Sequence, residues 1–335
     1  MSASLPKIVV IGAGAVGCYF GGLMAKGGFP VTFIARENQL EKFKNEGLEI
    51  VWADKRETMH VEATTDYETL KDCLFVFICV KTQSTLQTAE EIAPYLKSNA
   101  IIISLQNGID NVGLLKQHIS QNCYAGMVYA AMAMTEINQV SHFGGGNLVI
   151  GNTVANQDAS RLDFLTVMLK MAKIPAKIST TMLLELWNKF IVNCSYNGIS
   201  AIGQISYEDL VVSPGIDQVM NAIKNECIAV GIAEGIDLNL ERIDAMIEGI
   251  PVNLPTQKSS TAQDIAKRKP TEIDYLNGTI VALGKKHDIP TPVNSMIYSL
   301  IKMREITQGN FSPSSPLDFA LDASDESILL PLEQK

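Results

Sequence analysis

The stretch Lys7-Ile8-Val9-Val10-Ile11-Gly12-Ala13-Gly14-Ala15-Val16-Gly17 decides how this chain folds. Four branched apolar residues with no polar alternation read as a strand buried on both faces, as parallel strands are. Glycines follow at the spacing G-x-G-x-x-G, and a helical pattern begins at once over 15–27. In that order the first glycine allows a tight turn and the second lets backbone approach a pyrophosphate. The third lets helix and strand pack closely, and the helix N-terminus attracts the anion. Lys7 before an apolar run can imitate a signal peptide, but the glycine spacing explains the same residues as a strand.

Outward from that unit, strands are expected near 7–12, 31–35, 74–80, 100–104 and 124–128, with helices near 15–27, 83–97 and 110–118. A hairpin is expected from 136–142 and 147–151 across Gly144-Gly145-Gly146-Asn147. The pattern is α/β, a Rossmann-type doubly wound sheet. After about residue 180 the strand signal stops. Ser213-Pro214 reads as an N-cap with proline at the first helical position, and Gly235 as a stop. Helices near 182–202, 214–234, 239–248, 271–287 and 292–307 make an all-helical C-terminal domain. The expected domains are therefore 1–180 for the dinucleotide and 181–310 for substrate and catalysis. A loosely held tail over 311–335 holds no obvious chemistry.

Composition narrows the class. At 335 residues the chain exceeds the roughly 250–300 at which single cores stop growing. Hydrophobic residues make up 47% and the net charge is −9, which argues for a globular chain and against nucleic acid as a partner. No apolar run nears the ~20 residues that span a membrane. Cys18, Cys73, Cys79, Cys123, Cys194 and Cys227 are scattered without a C-x-x-C. They read as buried thiols of a reducing compartment, so a cytoplasmic protein is expected.

The end of the second strand selects the cofactor. Arg36 stands where an NAD-binding unit usually places Asp or Glu for the ribose hydroxyls. A guanidinium there suits a 2′-phosphate, so NADP (NADPH) is favoured, although Glu37 is adjacent and Arg36 can simply be solvated. Lys81 and Asn107 stand just past two later strands, at the carboxyl edge where open α/β sheets bind ligands.

In the helical half, Lys189, Asn193 and Asn197 recur every four residues on one face. Trp187, Phe190, Ile191, Val192, Cys194 and Tyr196 fill the other faces, so the helix reads as largely buried. A polar line there is costly unless something polar meets it, and a substrate can. The ordinary alternative is an ion pair from Glu185, four residues before Lys189. Further on, Ser259-Ser260-Thr261-Ala262-Gln263-Asp264 precedes Pro270-Thr271-Glu272-Ile273-Asp274. Pro270-Thr271 reads as a helix opening whose early acids suit its dipole. Equally, serine hydroxyls can hold a carboxylate and Glu272 can orient an ammonium.

Taken together, Gly12–Gly17, Lys81, Gln106-Asn107-Gly108, Lys189-x3-Asn193-x3-Asn197, Ser259-Ser260 and Thr271–Asp274 resemble the ketopantoate reductase (2-dehydropantoate 2-reductase) family. The resemblance runs from Lys7 to about Met303. It implies NADPH-dependent reduction of ketopantoate to pantoate, in pantothenate and coenzyme A biosynthesis. It further implies that Lys189 is the proton donor, that Asn193 and Asn197 position the substrate, and that Ser260 holds its carboxylate. Asn107 would touch nicotinamide ribose and substrate, and Glu272 the cofactor or the reacting hydroxyl. Gly12, Ala13, Gly14, Ala15, Val16, Gly17, Arg36 and Lys81 would hold NADP. Two positions depart from the family's pattern: Tyr207 and Gln257 stand where it tends to carry asparagine, both bordering the substrate.

The chemistry expected at an interdomain cleft is hydride transfer to a 2-oxo acid, with an ammonium stabilising and protonating the developing oxyanion. Burial would lower the lysine's pKa while Glu272 keeps it charged. His60, His118, His142 and His287 lie outside these constellations, as surface or loop residues, and no metal cluster is expected. Two rivals stand: a reductase of another 2-oxo acid, and a non-catalytic NADP-binding regulator. Oligomeric state is not legible, and a homodimer is left open.

Overall fold

Strand β1 (Ile8–Ile11) is the axis of the first unit, with every residue at 2% exposure or less. The computed structural model describes residues 5–153 and 160–310, so the tail expected over 311–335 lies outside the described residues. After β1 come α1 (Ala15–Lys26), β2 (Val31–Ile34), α2 (Glu37–Glu46), β3 (Leu48–Val51), β4 (Arg56–Met59) and β5 (Glu62–Thr64). Then follow β6 (Phe75–Ile78), α3 (Thr85–Ile92), β7 (Ile101–Ser104), α4 (Asn111–Lys116), β8 (Asn122–Glu136), β9 (Gln139–Gly151), α5 (Ser160–Met171) and β10 (Ala176–Ser179).

The sheet order is β4-β3-β9-β8-β7-β6-β1-β2-β5, with β10 on β9. Both β2 and β6 pair parallel with β1, so the chain leaves the central strand toward opposite sides. That reversal is the switch point beside which doubly wound sheets bind ligands. The Rossmann-type expectation holds, and the sheet extends it: the short strands β3, β4, β5 and β10 give too little periodic signal to be read in advance.

The expected hairpin is misplaced. Strands β8 and β9 pair antiparallel from Ala125↔Gly151 to Glu136↔Gln139, so the chain turns at Ile137-Asn138 and not at the glycines. Those glycines lie within β9. At a register shift the backbone of β8 comes so close to Gly145 (φ +76°) that a Cβ would stand 2.3 Å from the Tyr129 carbonyl oxygen. The helix expected over 83–97 ends at Ile92 and continues as a 3-10 turn over Ala93–Tyr95, because Pro94 cannot extend the ladder.

The chain divides into two compact units at Met182/Leu183. The second is helical: α6 (Met182–Gly203), α7 (Tyr207–Val211), α8 (Ile216–Ala233), α9 (Leu240–Asn253), α10 (Ser260–Ala266), α11 (Asn277–Lys286) and α12 (Pro292–Thr307). Ser213-Pro214 does not open α8. Gly215, at φ +76°, is the N-cap, and the Ser213 hydroxyl donates back to the Asp209 carbonyl at 3.0 Å. Nor does Pro270-Thr271 open a long helix. A 3-10 turn over Ile273–Tyr275 intervenes before α11, its polar side chains bonding across to α12.

α6 packs as its composition requires. Trp187, Phe190 and Ile191 are at 2% exposure or less, and the first two meet edge to face at 5.5 Å, each worth about 1.5–3 kcal/mol of burial. All six cysteines are free thiols, five of them buried. No helix among the described residues is long and apolar enough to cross a membrane.

Candidate active site

In the first unit four loops leave the sheet at one level. The bonds Gly12 N to Ile34 O (3.1 Å), Cys79 N to Ile11 O (2.8 Å) and Leu105 N to Ile78 O (2.9 Å) align the exits of β1, β2, β6 and β7. Gly12, Arg36, Lys81 and Asn107 therefore share one carboxyl edge. The three glycines have distinct reasons to be glycine. Gly12 has φ +102°, and a Cβ there would stand 2.8 Å from the backbone after β6. At Gly17 a Cβ would be 2.1 Å from the Gly12 carbonyl oxygen. Gly14, exposed at the start of α1, has nothing within 4 Å of its Cβ position.

That open approach to first-turn N–H groups, which lack intrahelical partners, fits a pyrophosphate. Ala13 is buried, with its carbonyl accepting from Gln39 Nε2 at 2.9 Å. Ala15 and Val16 form the half-buried first turn. Arg36 is exposed at the start of α2 and carries no ion pair among the described residues. Lys81 is exposed at the exit of β6. Asn107 is half-buried, its carbonyl held by the Thr82 hydroxyl (3.0 Å) and Asn111 Nδ2 (2.7 Å). Gln106 ties two loops together by donating to Val80 O (3.0 Å) and Thr85 Oγ1 (2.6 Å).

In the second unit, α6 is continuous through Lys189, Asn193 and Asn197, so the three share a face. Lys189 and Asn193 are half-buried and Asn197 is buried. Desolvation pulls the Lys189 ammonium down to about 8, while the nearby charge of Glu272 acts the other way. Glu185, the ordinary ion-pair candidate, bonds Arg242 Nη2 at 2.5 Å. Glu272 is 7% exposed and precedes the 3-10 turn.

Ser259 is fully buried, capping α10 through Ala262 N (3.0 Å) and donating to the Asn197 carbonyl (3.0 Å). This brings the exposed Ser260, first residue of α10, close to the α6 stripe. The two departing positions also meet, the Tyr207 N–H donating to the Gln257 carbonyl at 2.9 Å. The Tyr207 ring lies edge-on to Tyr196 at 5.3 Å, in an apolar cluster with Val192, Leu210 and Met220.

Several groups at these sites gave no readable signal. Asn188, beside the catalytic candidate, is fully buried with neither side-chain polar atom partnered among the described residues. Burial pushes the Asp110 carboxyl, at the start of α4, up to about 7. Of the histidines, His60 and His118 are exposed and His287 sits in the turn after α11, as expected, but His142 differs. His142 lies in β9 stacked on Tyr19 at 4.7 Å, and His287 pairs with Glu234.

Family models described as Ketopantoate reductase PanE/ApbA and its C terminal match residues 8–155 and 181–305. A 2-dehydropantoate 2-reductase of Halobacterium salinarum is 26% identical over 302 residues, covering 89% of this chain and 99% of that one. The crystal structure of a PanE/ApbA family ketopantoate reductase from Ralstonia eutropha is 37% identical, covering 90% and 99%, with a TM-score of 0.85. The ternary structure of a D-mandelate dehydrogenase with NADH and anilino(oxo)acetate has the same fold, at 24% identity, TM-score 0.85 and 90% and 99% coverage.

Proposed function

This chain belongs to the ketopantoate reductase family, and on that premise we propose that it reduces 2-dehydropantoate (ketopantoate) to pantoate with NADPH. It is an oxidoreductase with a nicotinamide cofactor and a small 2-oxo acid substrate. The observation that carries the finer reading is Lys189, a desolvated ammonium near pKa 8, opposed by Glu272 and in line with two carboxamides.

Gly12–Gly17 would hold NADPH, which when bound would supply a hydride for the ketone carbon. Negative charge then gathers on the carbonyl oxygen. The Lys189 ammonium stabilises that charge, gives the oxygen a proton from Nζ, and is left as a neutral amine. An acid with a pKa near the working pH suits both halves of that task. Asn193 and Asn197 orient the substrate, and the Ser260 hydroxyl donates to its carboxylate. Asn107 contacts ribose and substrate, and Glu272 favours the charged lysine. Gly12–Gly17 and Lys81 would hold the dinucleotide, and Arg36 its 2′-phosphate.

The test is NADPH and NADH oxidation across a panel of 2-oxo acids that includes ketopantoate. Fastest turnover of ketopantoate with NADPH is expected. A second reading, reduction of a different 2-oxo acid, draws on Tyr207 and Gln257, whose backbones are bonded at 2.9 Å. Preference for a bulkier apolar acid would favour it. Tight NADPH binding with no acid reduced would overturn both and leave a regulator.

A further inference from the structure

Helix α12 grips the segment around Glu272 from both sides. The Glu305 carboxylate, 2% exposed, accepts with Oε1 from the Thr271 N–H at 2.8 Å and the Thr271 hydroxyl at 2.7 Å. Its other oxygen meets Lys302 Nζ at 2.9 Å, and the same ammonium meets Asp274 Oδ2 at 2.9 Å. Asp274 Oδ1 accepts from the Tyr298 hydroxyl at 2.9 Å. Tyr298, Lys302 and Glu305 are spaced four and three apart, one face of one helix. Glu272 is thus held between two residues, Thr271 and Asp274, that α12 pins through side chains.

Three charges buried to 2–8% exposure are a poor way to gain stability, since apolar replacements of buried ion clusters are often neutral or better. What this cluster fixes is backbone on either side of Glu272. We propose that Lys302, with Tyr298 and Glu305, forms a positioning cluster that holds the charge of Glu272 against Lys189. This rests on the reading of Lys189 as proton donor. The titratable groups acting on the segment are Asp274, Glu305, Lys302, Tyr298 and Tyr275. The Tyr275 phenol is raised first by burial and then by Asp274 and Glu272, with Lys302 opposing.

The sign of the effect separates positioning from simple charge. Removing the Lys302 cation alone would relieve repulsion and raise the proton affinity of Lys189. Releasing Glu272 withdraws a favourable neighbour and lowers it. The experiment is competitive acetylation of the full chain across pH, read at the Lys189 peptide by mass spectrometry, which needs no turnover. Lys302→Met and the control Glu272→Gln are expected to lower the proton affinity of Lys189 about threefold or more, roughly half a pKa unit. Tyr298→Phe is expected to lower it less.

A folded Lys302→Met whose Lys189 titration is unmoved or raised, while Glu272→Gln lowers it, overturns the proposal. If Lys302→Met does not fold, Tyr298→Phe and Glu305→Gln decide, and wild-type titration in both overturns it. An unmoved titration in Glu272→Gln overturns it as well, at the coupling itself. Turnover of Lys189→Ala separately tests the donor role beneath it.

Discussion

On the proposed function, the nucleotide edge and the lysine helix work by opposite means. At the first, backbone does the work: Gly12, Gly14 and Gly17 matter for the side chains they lack. At the second, side chains do it, and the partners lie far apart in sequence: Glu305 reaches Thr271 across 34 residues and Lys302 reaches Asp274 across 28. A backbone site is therefore intolerant of any added atom, whereas a side-chain site is intolerant of misplaced charge.

The sharpest way to break that contrast lies within the loop itself. Gly17→Ala places a Cβ 2.1 Å from a backbone oxygen, and should cost about 3 kcal/mol of stability by overpacking. Gly14→Ala meets nothing within 4 Å, so thermal melting should match wild type while NADPH affinity falls. Equal melting temperatures for the two variants would remove the distinction between packing glycine and approach glycine.

At the other region, Lys189→Ala should lower kcat by ~10²-fold or more with NADPH binding nearly unchanged. Near-wild-type turnover would end its role as donor. The pH profile follows from its pKa of about 8: with Lys189 as the proposed donor reduction needs the ammonium, so kcat should fall as pH rises through that value. Stability runs the other way. The folded pKa is depressed from 10.5 to about 8, so in that window the unfolded chain holds a proton the native lysine has released, and stability from this group rises with pH. Lys189→Met should therefore be more stable than wild type at neutral pH while inactive.

The same contrast explains what the sequence disclosed. The glycine loop was legible because its constraints lie within six neighbouring residues, and the α6 stripe because helical periodicity carries it. The α12 cluster was not, because Tyr298, Lys302 and Glu305 look like an ordinary polar sprinkling until the chain has folded. The hairpin turn is hidden in the sequence because glycines that relieve crowding inside β9 carry the same local signal as glycines that turn a chain.

Arg36 sharpens the comparison from the nucleotide side, as the one side-chain reading in a backbone site. Exposed and without an ion pair among the described residues, it is available to a 2′-phosphate. Arg36→Ala should weaken NADPH relative to NADH by about tenfold, ~1.4 kcal/mol. An unchanged ratio of dissociation constants would mean that selectivity lies elsewhere.

The smallest expected effect concerns Asn188, on the same helix as Lys189. It is fully buried, and neither its carbonyl nor its amide nitrogen has a partner among the described residues. An unsatisfied buried amide costs on the order of 1–3 kcal/mol, and leucine repeats its branching at Cγ without the polar atoms. Asn188→Leu should therefore stabilise the chain by about 1 kcal/mol in denaturant unfolding, with kcat and KM unchanged because the side chain points away from the stripe carrying Lys189. Loss of stability would mean that Asn188 is satisfied by buried water. Loss of activity with stability intact would mean that this part of α6 must stay under tension to present its lysine, and the side-chain site would then extend to the buried face of its own helix.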